Sequence, residues 1–280
     1  MQRVTRVEVK LPITFLGIPA ERHESLPSTN DEAFRRASEG ALEGLIVTTR
    51  HQSAGRGRQG RAWWDAPGDS VLASLLLRPS VPLARYPQLG MAMACAVAEA
   101  AERLVPGERF DVKWPNDVLH RGRKFCGILA ETRVSHADEG GIPLVIGFGV
   151  NVNQTAEAWP EEIRQIATSL RIAADGRALD TDQVLRDIVA RFENYLARAR
   201  AGDLSGLWSA VKARLPRPGS PVVVASGSHR VEGTVEGYTE SGAISVRDAE
   251  GIVLTLVAGE IPVEPADDGP SLPGCESGGQ

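Results

Sequence analysis

Between Gly55 and Arg61 the chain reads G-R-G-R-Q-G-R. Alternating glycines let a backbone come close to a ligand. Arginines between them offer planar, multi-donor recognition of phosphate or carboxylate. Within Arg50–Arg61 there are four arginines and no acid. The tract is short, is not repeated and ends at Trp63-Trp64. A stacking aromatic beside phosphate-binding groups suits a nucleotide. No G-x-x-x-x-G-K-[ST] is present, so this is not a Walker loop. Taken alone, the tract is equally a solvated loop or an Arg/Gly nucleic-acid tract.

Four further stretches could do chemistry. Lys113–Asp117, K-W-P-N-D, presents a cation, an amide and a carboxylate around a proline-stiffened turn. Such a cluster binds ribose, phosphate or Mg²⁺-bound phosphate, or is an ordinary Pro-Asn-Asp turn between strands. Lys124 stands where the loop of R-G-R-K-F-C-G-I-L (Arg121–Leu129) enters an apolar strand; there it pairs with a buried anion or snorkels to water. Ser28-Thr29-Asn30 places two hydroxyls and an amide at a helix start, fit for an N-cap and for a polar, uncharged ligand group. Gly147–Asn153, G-F-G-V-N-V-N, sets asparagines at a strand end, where they turn the chain or bind substrate.

The elements that must position these residues follow from local pattern. A helix is predicted over Thr29–Gly40, capped by Ser28 or Thr29. Strands are predicted at Met1–Phe15 (one or two short ones), Gly44–Arg50 and Ser70–Arg78. Tyr86–Leu104 is Ala-rich and long enough for a core helix. Strands follow at Asp111–Lys113, Val118–His120, Lys124–Thr132 and Pro143–Asn151; the glycines of the last imply close approach by a ligand or another backbone. Thr181–Ala201 and Leu204–Ala213 carry helical periodicity. Arg214–Pro221, with three prolines and a glycine, reads as a linker or domain boundary. Beyond it, Pro221–Ala225, His229–Tyr238, Ala243–Asp248 and Ile252–Val257 are short strands that suit a small β-barrel. Pro265–Gln280 is acidic, rich in Pro, Gly and Ser, and expected to be disordered.

The chain of 280 residues is 42% hydrophobic and 24% charged, with a net charge of −5. That is a soluble globular balance, with room for about two domains. An acidic total argues against a general nucleic-acid coat protein. The apolar stretches fall short of the ~20 residues of a transmembrane helix, and the N-terminus has no signal-peptide core, so a cytoplasmic location is expected. The three cysteines (Cys95, Cys126, Cys275) form no C-x-x-C, and the histidines no paired metal spacing. This predicts neither a disulfide framework, a zinc site nor a His-ligated metal centre.

The five stretches, in this order, resemble the biotin–protein ligase family: S-T-N, H-Q-x-x-G-R-G-R-x-G-R-x-W, K-W-P-N-D, R-K-x-x-G-I-L and G-x-G-x-N-x-N, spanning about Ser28 to Asn153. A-G-E-I at Ala258–Ile261 looks like part of that family's small terminal barrel. The resemblance implies an α+β fold: a mixed, largely antiparallel sheet with helices mainly on one face, of the class II synthetase-like kind, then a small C-terminal β-barrel of Src-homology-3-like type. Its boundaries would be 1–215 for the catalytic domain, 216–264 for the barrel and 265–280 for the tail.

Members of that family join biotin and Mg·ATP to biotinyl-5′-adenylate, then pass the biotinyl group to a lysine of a biotin carboxyl carrier protein. By motif position, Ser28, Thr29 and Asn30 would lie at the biotin ring system, with Gln52 close by. Arg56, Gly57 and Arg58 would belong to a loop closing over biotin and its adenylate. Lys124 would meet the biotin carboxylate and then the α-phosphoryl region; Lys124 and Arg58 are the catalytic candidates. Lys113, Asn116, Asp117 and Asn151 would lie toward the nucleotide, Arg61 near the phosphates and Trp63 near the adenine. Mg²⁺ is expected through the ATP phosphates, with its protein ligands undetermined. Gln59 stands where many members carry a basic or other residue.

Some relatives carry a DNA-binding helix-turn-helix domain. About 27 residues precede Ser28, so an enzyme without the repressor function is expected. No DNA or membrane partner is expected, and either a monomer or a homodimer fits. The alternatives are a lipoate or octanoate ligase of related fold, a nucleic-acid module, and a non-catalytic biotin-binding protein. Charge placement favours a small anionic ligand over nucleic acid. Setting aside the seven cations of Arg50–Arg61 and Arg121–Lys124, 24 basic residues face 36 acidic ones.

Overall fold

The computed structural model describes residues 12–133, 141–226 and 229–263. Three short strands come first: β1 (Thr14–Phe15), β2 (Ile18–Pro19) and β3 (Glu21–His23). Then follow α1 (Thr29–Ser38), β4 (Ile46–Thr49), β5 (Ser70–Leu77) and α2 (Tyr86–Leu104). The middle of the chain supplies β6 (Asp111–Lys113), β7 (Asp117–His120), β8 (Arg123–Thr132) and β9 (Leu144–Asn151). Two four-residue helices, α3 (Glu161–Arg164) and α4 (Leu170–Ala173), precede α5 (Thr181–Arg200) and α6 (Leu204–Lys212). The last strands are β10 (Pro221–Ser226), β11 (His229–Tyr238), β12 (Ile244–Arg247) and β13 (Val253–Leu256).

Seven strands form the main sheet in the order β3-β4-β5-β9-β8-β7-β6. Only β3 and β4 are parallel; the other neighbours are antiparallel. Because side chains alternate between faces, β5 serves two compartments. Val71, Ala73, Leu75 and Leu77 join the main core with α2 and α5, while Leu76 joins a smaller cluster under α1 with Ala33, Phe34 and Val145. The α2 helix is alanine-rich because it is enclosed: it packs on β8 and β9 on one side and on α5 and α6 on the other. Small side chains let it approach the sheet, and a β-carbon on Gly90 would lie 3.2 Å from that of Ala130. The α1 helix starts where expected, with the Ser28 hydroxyl accepting from the Asp31 N–H. Acidic residues in its first turn and basic ones in its last match the helix dipole.

The Pro-rich stretch from Arg214, expected as a linker or domain boundary, is held in place: Arg214 pairs with Glu102, Leu215 is buried, and the Tyr238 hydroxyl donates to the Pro216 carbonyl. The four strands expected beyond it form, among the described residues, an antiparallel sheet in the order β10-β11-β12-β13. One bridge, Ala225 to Glu260, returns the following chain to its first strand. Helices α3 and α4 were not anticipated. The expected disordered tail, and most of the Met1–Phe15 strand region, lie outside the described residues. Among the described residues no helix is long and apolar enough to cross a membrane.

The small sheet and the main sheet share one hydrophobic core, which includes Val222, Val224, Val235, Ile244 and Val246. Between them Arg85 and Gln88 donate to the Glu240 carbonyl, and one buried polar joint is Trp114 of K-W-P-N-D, 1% exposed, whose indole N–H donates to the Gly242 carbonyl at 2.9 Å. Replacing Trp114 with Phe strands that buried carbonyl. A destabilisation of about 1–3 kcal/mol is expected, read from the midpoint of a urea titration.

Candidate active site

The cleft forms on the face of the sheet opposite α2, and its shape begins with missing side chains. On that face β9 presents Gly147 and Gly149. Gly147 lies between its register partners Ser74 and Leu129, and Gly149 between Leu72 and Gly127. A β-carbon at Gly147 would fall 2.1 Å from Asn30 Oδ1, and one at Gly149 2.5 Å from the Trp63 ring. The resulting cavity of about 430 Å³ falls in the size range of small-molecule sites. All fourteen residues singled out from the sequence line it.

One end is polar and uncharged. Ser28, Thr29 and Asn30 reach it from the start of α1 and are each at most 4% exposed. The Thr29 N–H donates to Gln52 Oε1 at 2.8 Å, which fixes the Gln52 amide. Asn30 Nδ2 donates to Glu131 Oε2 at 2.7 Å and to the Leu129 carbonyl at 3.2 Å. Arg56 lines this end, but its guanidinium is engaged by both oxygens of Asp31, at 2.6 and 2.8 Å. Arg133 also pairs with Asp31. Arg56 thereby ties the Gly/Arg loop to α1.

That loop is braced along its length. His51 Nδ1 and Asp65 Oδ2 meet at its base at 3.0 Å. The Trp63 N–H donates to the Gly55 carbonyl, and the Gly57 N–H to the Arg61 carbonyl. At the tip Gln59 takes a φ of 58°, a left-handed conformation.

The middle of the cleft is a charge cluster. Asp117, 6% exposed, lies 2.8 Å from Lys113 Nζ and 2.8 Å from Lys124 Nζ. Burial alone would raise the Asp117 pKa, but the two ammonium groups outweigh it and hold the carboxyl below its ordinary range. Burial likewise pushes Lys113 down, against the pull of Asp117. Asn116 donates to the Ile128 carbonyl at 2.8 Å, and its amide oxygen faces Arg58 Nη1 at 3.4 Å. The chain after β13 closes this section: Gly259 accepts from Arg58 at 2.9 Å, Glu260 pairs with Arg61, and Ile261 accepts from Lys113 at 2.6 Å.

The far end is aromatic. The Trp63 ring lies over the Gly127–Gly149 pair, with Lys124 Nζ 5.6 Å from its centroid. Trp159, Ile163, Ile166 and Ala167 form the wall, and Trp64 packs on Trp159 at 5.2 Å. Asn151, 4% exposed, donates to the Thr168 carbonyl at 3.0 Å. Its Oδ1 is buried without a protein partner.

Sequence reasoning did not single out Asp31, Glu131, Ser74, Trp159 or Ile163, nor the cleft role of Glu260–Val263. A carboxylate on a helix, such as Asp31, or on a strand, such as Glu131, gives no local signal of a partner distant in sequence. The one group of candidate metal ligands among the described residues, Glu21, His23 and Glu32, lies outside the cleft. Its carboxylates are paired with Arg36 and Arg35.

Asp31 yields a pH test. The Arg56 hydrogen bonds, with help from Arg133, lower its pKa from 3.8 to about 2. A depressed carboxyl stabilises the fold above its unfolded pKa and loses that contribution as pH falls through the folded one. Between pH 3.8 and about 2, the thermal midpoint of the wild type should therefore fall more steeply than that of Asp31→Asn.

The chain matches the model of the biotin/lipoate A/B protein ligase family over residues 23–151. It is 42% identical over 172 residues to the bifunctional ligase/repressor BirA of Bacillus subtilis, covering 61% of this chain and 51% of that protein. The chain thus spans about half the length of the Bacillus relatives it matches. It is 32% identical to the biotin–[acetyl-CoA-carboxylase] ligase of Paracoccus denitrificans, covering 80% of this chain and 92% of that one. The corresponding ligase of Mycobacterium tuberculosis is also 32% identical, with 84% and 85% covered. Among solved structures, biotin protein ligase from Aquifex aeolicus in complex with biotin and ATP superposes with a TM-score of 0.73 at 26% identity, over 88% of this chain and 99% of that one. Sequence, fold and the ordered lining of one cleft agree: the chain belongs to the biotin–protein ligase family.

Proposed function

We propose that this chain is an ATP-dependent ligase that activates biotin as biotinyl-5′-adenylate and transfers the biotinyl group to a lysine of a biotin carboxyl carrier domain. The observation that carries this reading is the order of groups along a single cleft. Uncharged hydrogen-bonding groups (Ser28, Thr29, Asn30, Gln52) stand at one end, cations (Arg58, Lys113, Lys124) in the middle, and indoles with an unsatisfied amide oxygen (Trp63, Trp159, Asn151) at the other. Biotin has the matching order of an uncharged ureido head and an anionic tail, and ATP continues it with phosphates and a base.

In the first step a biotin carboxylate oxygen attacks the α-phosphorus; a P–O bond forms and pyrophosphate leaves. Two anions must meet, and Arg58 and Lys124 offset their repulsion with charge already in place. In the second step the carrier lysine amine attacks the acyl carbon and AMP leaves. No enzyme nucleophile is required. Burial pushes both Cys95 and Cys126 thiols up, Cys95 to about 12, so neither is a ready thiolate.

Mg²⁺ binds proteins through one or two carboxylates together with substrate phosphates. The carboxylates lining the cleft among the described residues, Asp117 and Glu260, do not fit that pattern as they stand, because Lys113 and Lys124 engage both oxygens of Asp117 and Arg61 engages both of Glu260. An ion that enters with ATP would be held by the phosphates, where it would supply charge neutralisation. Carrier modification, rather than DNA binding, is the activity this cleft supports.

The deciding experiment is mass spectrometry of a biotin carboxyl carrier domain incubated with biotin, Mg·ATP and this protein. One biotinyl addition is expected. An unmodified carrier, or preferential use of lipoate, overturns the reading. Arg58→Ala and Lys124→Ala should each lower transfer by about a hundredfold or more, the scale of losing one charge-stabilising donor. Near-normal modification by both would remove them from the catalytic role.

A further inference from the structure

A buried hydroxyl beneath the polar end of the cleft has no part in the mechanism above. Ser74, on β5, is 0% exposed. Its Oγ lies 2.7 Å from Thr29 Oγ1 and 2.6 Å from Asn30 Oδ1. A hydroxyl has one proton to give, so the two bonds must run in different directions, and the surroundings decide which. Asn30 Nδ2 donates to Glu131 and to the Leu129 carbonyl, both pure acceptors. This fixes the amide and leaves Oδ1 to accept. The Ser74 proton therefore goes to Asn30, and the Ser74 oxygen receives the proton of Thr29. Among the described residues the competing acceptor for that proton, Gln52 Oε1, is farther away at 3.2 Å and already takes the Thr29 N–H. With its proton used inside the protein, Thr29 Oγ1 meets the cleft as an acceptor.

We propose that Ser74 is a positioning residue: it fixes a one-way relay, Thr29 to Ser74 to Asn30, that makes the Thr29 hydroxyl an obligate acceptor. The polar end then selects a ligand head bearing an N–H donor, as a cyclic urea does, over one without it, such as a dithiolane. This inference rests on the biotin reading above and deepens it, because the family model alone covers both kinds of acid. The row Ser74–Gly147–Leu129 across three strands gives the relay its rigidity. Asn30 sits over the bare Gly147, tied to Ser74 on one flank and to the Leu129 carbonyl on the other. A site built to bond a substrate N–H rejects analogues lacking it far more strongly than an apolar pocket rejects a missing methylene.

The test measures pyrophosphate release against biotin, lipoate and ATP concentration for wild type, Ser74→Ala, Thr29→Val and the double variant. Ser74→Ala should raise the KM for biotin about tenfold, the scale of ~1.4 kcal/mol, and leave the KM for ATP within about twofold. It should also narrow the preference for biotin over lipoate. Because Ser74 acts through Thr29, the double variant should lose no more than Thr29→Val alone. An unchanged biotin KM in Ser74→Ala, or a fully additive loss in the double variant, overturns the relay. If Ser74→Ala folds poorly, Ser74→Cys carries the same comparison, since a thiol is a weaker donor and should shift the biotin KM in the same direction. A wild type that releases no pyrophosphate with biotin, or prefers lipoate, counts instead against the biotin reading itself.

Discussion

The cleft depends on two β-carbons that are not there. Gly147 and Gly149 face the same way on a central strand, each flanked by neighbours in register, and together they lower the floor of the sheet by a side chain's depth. Asn30 fills one hollow and the Trp63 ring lies across the other. The opposite face of the same strand is fully apolar and packs on α2, so the strand cannot shift to accommodate a larger residue without disturbing the main core. A sheet of ordinary composition would be flat here, and the polar head, the charge cluster and the indoles would have no common floor.

Electrostatics adds a second constraint. The cations of the cleft are not idle charges waiting in solvent. Asp117 holds two lysines, Asp31 holds Arg56, and carbonyls or a carboxylate after β13 take Arg58, Arg61 and Lys113. Such pairing keeps long side chains in one place, so that little ordering is left to do when an anion arrives. It also shows how an acidic protein carries a cation-rich cleft: the positive groups are concentrated where oxygen atoms from distant parts of the chain can reach them.

Much of this was legible in the sequence. The position of α2 follows from an Ala-rich stretch whose centre, Leu89–Ala98, is wholly small and apolar, and the start of α1 from Ser-Thr-Asn. The residues chosen for chemistry share one cleft; several of the stretches that hold them carry local marks (a glycine beside an arginine, a proline before an amide, a lysine entering an apolar strand), but the place of Gln52, Arg61, Trp63 and Asn151 is implied by the family resemblance. Residues that work only through partners carry no such mark. Ser74 sits in S-V-L-A-S-L-L-L as an ordinary small strand residue, and its use is set by Asn30, which lies 44 positions away. Asp31 and Glu131 read as solvated charges. Helices of four residues such as α3 and α4 are too short to show a period, and the prolines after Arg214 mark a turn without revealing that buried neighbours hold it.

The chain that follows β13 has a consequence for folding order. Its contacts with Arg58 and Arg61 join residues separated by about two hundred positions, at 201 and 199, and the contact with Lys113 spans 148. Contacts of such long range are costly to close before the intervening structure has formed. The sheet and α2 can nucleate from nearer neighbours, whereas the charge cluster is completed only when the last described segment folds back across it. The cleft is thus completed by contacts of far longer sequence range than the neighbouring pairings that build the sheet, and its finished form depends on the late part of the chain reaching the early part.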